Sequence, residues 1–115
     1  MNEYRRKLRR NPDHSVEVFD VMTEELIGRI GNLSETGMLL HADASLADDA
    51  LYQLRFVLHS VDGDKHTYEV GAHHLWSDAA GTPGQFWTGL RFIDVSPNDA
   101  QQLRQWVHLP GNEVE

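Results

Sequence analysis

The apolar residues of this chain change their spacing once, at Ser96. Before that point, short stretches alternate apolar and polar residues as half-buried strands do, with turn-forming residues between them. After it, Ala100, Leu103, Trp106 and Val107 recur at helical spacing. Ser96 reads as the N-cap, Pro97 as the first helical residue, and Asn98 and Asp99 lie in the first turn. Such a chain has to bury its strands against one another and lay one amphipathic helix over part of the result.

The strand expectations are Ser15–Met22, Glu25–Ser34, Gly37–Ala42, Leu51–Val61, Lys65–Ser77 and Phe86–Val95, with the helix over about 96–108. In the fourth, Leu54, Phe56 and Leu58 share a face; in the sixth, Trp87, Gly89, Arg91 and Ile93 do. Thr23–Glu24 is short enough for a hairpin, and Asp62–Asp64 is a turn signal. Many short strands at this spacing point to a small barrel or a sandwich, and their order alone does not choose between them. A length of 115 residues fits one domain with a core of its own. The expected organisation is a flexible basic arm over 1–14, the strands and helix over 15–109, and a tail over 110–115.

Charge narrows the function. The formal net charge is −8, unevenly spread. Within the first ten residues Arg5, Arg6, Lys7, Arg9 and Arg10 stand against Glu3 alone, a local +4; the other 105 residues carry 5 basic and 17 acidic side chains, a net −12. An acidic body repels a polyanion such as duplex DNA, whereas a short basic arm can grip a compact anion. The alternative for the arm is a solvated terminus with no ligand. No cysteine is present, so disulfides, thiolate nucleophiles and cysteine metal sites are excluded. The polar N-terminus does not read as a signal peptide, and no apolar run nears the roughly 18 residues that span a bilayer. The expectation is a soluble cytoplasmic protein that does not insert into membranes.

Two motifs remain. In Asn32–Met38, "NLSETGM", an extended backbone would put Asn32 and Ser34 on one face with Leu33 in the core, while Gly37 offers positive φ or a bare patch for a flat ligand. An ordinary hairpin turn also favours Asn, Ser and Gly. In Tyr4–Arg10, "YRRKLRR", Arg5 and Arg9 are four apart, as are Arg6 and Arg10. A guanidinium pairs bidentately with phosphate oxygens or with the O6/N7 edge of guanine.

An Arg-x-x-x-Arg arm followed by [Asp/Asn]-x-Ser-x-x-Gly resembles the PilZ domain family. The likeness extends to "HLWS" near Trp76 and to "WTGLRFIDVSPND" from Trp87, and so covers nearly the whole chain. It implies an all-β fold with a C-terminal helix, a six-stranded antiparallel β-barrel. It also implies a bacterial receptor for cyclic di-GMP, bound as one molecule or an intercalated pair. The ligand-binding residues it implies are Arg5, Arg6, Arg9, Arg10, Asn32, Ser34, Gly37, Trp76 and Gly89. The preferred arm register is Arg6/Arg10 with Arg5 assisting, and Arg5/Arg9 stays open. Asn32 stands where the family often has Asp, and lacks the charge a carboxylate would bring to a guanine edge. Trp76 is a candidate stacking surface, although tryptophan in a small barrel is more often core. Trp87 is barrel surface or core; Trp106 reads as helix packing.

Seven histidines invite a metal, but no HExxH spacing appears; His73 and His74 should face opposite ways, and His59 and His66 flank a turn. No nucleophile–base pair is legible, so no enzyme and no cofactor are expected. The leading expectation is an adaptor that orders its arm on cyclic di-GMP and signals by contact with another protein. A kinase, a motility or chemotaxis component, or a polysaccharide synthase would each suit that role. The alternatives are a PilZ-like module that binds protein only, and a small nucleic-acid-binding barrel; the acidic body argues against the latter.

Overall fold

The structure, a computed structural model, describes residues 8–60 and 62–114. Its elements are β1 (Arg9–Arg10), β2 (Glu17–Asp20), β3 (Glu25–Leu33), β4 (Gly37–Ala42), β5 (Leu51–His59), β6 (Lys65–Ala79), β7 (Phe86–Val95), α1 (Pro97–Val107) and β8 (Glu113–Val114). The order β2-β5-β6-β7-β4-β3 closes because β2 also pairs with β3, giving a six-stranded antiparallel barrel. That closure decides for the barrel where strand order alone did not.

The core follows the alternation. Leu54, Phe56 and Leu58 are all buried, with Val18, Leu40, Tyr68 and Val70 around them. Phe56 and Tyr68 stack at 5.2 Å between ring centres. Burial pushes the Tyr68 phenol well above its ordinary pKa, with the nearby Asp99 carboxylate adding to it. Leu103, Trp106 and Val107 of α1 seal one part of the core, as the helical spacing predicts. The Ser96 hydroxyl accepts from the Asp99 amide at 3.1 Å, so the cap forms where it was read. Asp99 then ties the helix start to β6, through His66 at 2.8 Å and the Glu69 amide at 3.4 Å.

The two ends differ from the expected arm and tail. Arg10 pairs with Leu33 of β3, and Arg9 and Arg10 pair with Val114 and Glu113. The Asn11 amide donates to the Asn112 carbonyl at 2.9 Å, and the Asn112 side-chain amide donates to Asp13. Backbone hydrogen bonds between the two ends thus hold residues that carry no apolar signal of their own. Residues 1–7, with Arg5, Arg6 and Lys7, lie outside the described residues.

Candidate functional site

Two bulges determine which side chains reach the outer face of the barrel. On β3 the register shifts between Ile30, opposite Leu40, and Asn32, opposite Leu39. Strict alternation from the buried Ile30 would put Asn32 inside; the extra residue, Gly31, turns it outward and leaves Leu33 in the core. On β6 the register shifts between His74, opposite Leu90, and Trp76, opposite Gly89. His74 is buried, so alternation would bury Trp76 too. The extra Leu75 turns Trp76 out, where it is 45% exposed. Tryptophan as core is therefore overturned at this position. Trp87 also lies on the surface, and Trp106 is buried under the helix.

Cross-strand pairing then sets Asn32, Leu39, Gly89 and Trp76 in one row across β3, β4, β7 and β6. Gly89 is needed for this geometry. A Cβ built on it would collide with the Trp76 indole, so the ring lies over the bare backbone of β7. At the other end of the row the Arg9 guanidinium donates from Nη1 to Asn32 Oδ1 at 2.8 Å. These residues, with Met38, Leu75 and Leu90, line an open pocket of about 260 Å³. Partial burial lowers the basicity of Arg9, the direction desolvation imposes on any cation. The arrangement offers a fixed guanidinium, a side-chain amide and a flat aromatic surface.

The other sequence candidates fall elsewhere. Arg10 follows Arg9 on an extended strand, so its side chain takes the opposite face. It is buried, with its guanidinium 4.7 Å from the centre of the Trp106 ring and 3.6 Å from Asp13. Its Nε and Nη1 find no hydrogen-bond partner among the described residues. Ser34 is buried as well, because β3 ends at Leu33 and the chain turns there. Its hydroxyl accepts from the Thr36 amide at 3.2 Å and lies 3.4 Å from the Gly37 carbonyl oxygen. Gly37 sits in β4 and is not among the positive-φ glycines, which are Gly63, Gly84 and Gly111. A Cβ there would strike the Leu90 carbonyl, so its missing side chain makes room for β7 rather than for the pocket. Ser34 and Gly37 thus serve the turn and the strand pairing.

Sequence reasoning missed Leu39 and Leu75 as pocket walls. The available signals were Gly31 beside Asn32, and the doubled outward run Leu75–Trp76, each a place where alternation breaks. Of the histidines, His73 and His74 do separate: His73 meets Asp49 at 2.5 Å, while His74 lies inside against Ser77 at 2.8 Å. Among the described residues no group of three or more His, Asp or Glu could hold a metal ion, and no helix is long and apolar enough to cross a membrane.

Comparison with known proteins places the fold. The PilZ domain family model matches residues 3–109. The chain is similar to the solved structure of the Bacillus subtilis inhibitor of motility (MotI/DgrA), with a TM-score of 0.71 at 18% identity over 88% of this chain. It spans about half of that structure, 47%. It is also similar to the PilZ domain of YcgR from Escherichia coli, solved with cyclic di-GMP, with a TM-score of 0.62 at 15% identity. That match covers 89% of this chain and 87% of that one. No curated protein matches.

Proposed function

The chain belongs to the PilZ domain family, and we propose that it is a cyclic di-GMP receptor that passes the signal to a partner protein by contact. The observation that carries the reading is the convergence of Arg9 and Asn32 with the exposed Trp76 ring on one bare patch of sheet. The solved PilZ domain of YcgR, of like fold, carries that ligand.

The chemistry fits a guanine dinucleotide. A guanidinium has five donors, and Asn32 takes one of Arg9's. Those remaining suit a phosphate or the O6/N7 edge of guanine. Trp76 offers a base one face, and such a stack is worth roughly 1–3 kcal/mol. Micromolar affinity needs about 8 kcal/mol, which a stack and a few charge-assisted bonds supply once arm ordering has been deducted. Arg5, outside the described residues, stands four before Arg9 and is the arm residue to complete the clamp. The burial of Arg10 against Trp106 supports this Arg5/Arg9 register over the Arg6/Arg10 one.

In this reading the ligand draws residues 1–7 onto the barrel face and changes what a partner meets there. The remaining acidic surface suits a basic partner. Isothermal titration calorimetry with cyclic di-GMP is the test. Saturable binding supports the receptor and gives one or two molecules per chain. A folded protein that neither releases nor absorbs heat of binding at two temperatures would be a protein-only module.

A further inference from the structure

A second cavity, of about 230 Å³, lies between α1 and the β5–β6 hairpin. Leu58, Tyr68, Trp106 and Leu109 supply apolar walls, and Ser60 and Gln102 are among its polar groups. No carboxylate, lysine or arginine lines it among the described residues. It shares no lining residue with the Arg9–Trp76 pocket.

The helix beside this space is fastened near both ends. Near its start, Asp99 is bonded to His66 and to the Glu69 amide. Near its end, the Trp106 ring is held against the Arg10 guanidinium. Three rings stand in its wall: Trp106 and Tyr68, which show only their edges at 5% and 2% exposure, and His66, which meets Tyr68 edge-on at 4.5 Å. An apolar cavity of about 150 Å³ takes up benzene, so this one has room for a larger ring system.

We propose that this cavity is a second ligand site, for a neutral aromatic molecule of one or two rings. Aromatic walls favour a flat guest through edge-to-face contacts. The Gln102 amide and the Ser60 hydroxyl provide hydrogen bonds to a polar edge, as in small-molecule sites generally. With no lysine or arginine in the lining among the described residues, and only His59 and His66 as basic groups, the cavity offers no guanidinium clamp for a bisphosphate such as cyclic di-GMP, so the two sites take different chemistry.

Indole is the probe, titrated into the full chain and followed by two-dimensional NMR. Saturable shifts centred on Trp106 and Gln102 are expected, with one molecule bound. Gln102→Phe, which fills the cavity from the helix side, should weaken binding at least tenfold with an unchanged melting temperature. If that variant does not fold, Gln105→Phe on the same wall serves instead. Absence of saturable shifts up to the solubility of indole overturns the proposal. So does a folded filling variant that binds as wild type, or indole-3-carboxylate binding as tightly as indole. The readout is independent of cyclic di-GMP, so failure here leaves the receptor reading standing, and the reverse also holds.

Discussion

Arg9 and Arg10 are adjacent in sequence and have opposite surroundings. Arg9 lies on the open face against Asn32; Arg10 is buried against Trp106, with two of its nitrogens unpartnered among the described residues. Arg9→Ala should therefore cut cyclic di-GMP affinity at least tenfold in calorimetry, the loss of about one charge-assisted bidentate contact. Arg10→Met is expected to keep both affinity and melting temperature, because an apolar side chain of similar volume often replaces a buried cation without loss. The opposite pattern would return the arm to the Arg6/Arg10 register. At Gly37 the expected effect is on stability. Gly37→Ala drives a methyl into the Leu90 carbonyl and should cost about 1–3 kcal/mol in chemical denaturation.

Among the elements, strands and helix were legible because each has a strong period. The β5 face of Leu54, Phe56 and Leu58 and the α1 face of Leu103, Trp106 and Val107 follow directly from spacing. The site was legible as a set of residue types and only partly as a geometry. Asn32 and Trp76 reach the surface through bulges at Gly31 and Leu75, and a bulge leaves no periodic trace. Ser34 was misplaced for a related reason: the strand was extended one residue too far, and a side chain read as facing a ligand bonds the turn instead. β1 and β8 were invisible because two-residue strands held by backbone pairing require no apolar pattern.

At the scale of the molecule, charge sets how the protein meets its ligand. A net −8 chain repels a dianion everywhere except near its basic arm. Cyclic di-GMP affinity should accordingly fall severalfold between roughly 0.05 and 0.5 M salt, as the Debye length shrinks from about 14 to 4 Å. Affinity that does not respond to salt would argue against a phosphate clamp. The central claim is where the nucleotide sits, and the three tryptophans report on it. Their indole N–H signals, assigned with Trp76→Phe, Trp87→Phe and Trp106→Phe, should be followed while cyclic di-GMP is added. A large shift is expected for Trp76, which lies in the pocket with Arg9 and Asn32. Saturable binding that leaves the Trp76 signal in place would contradict it.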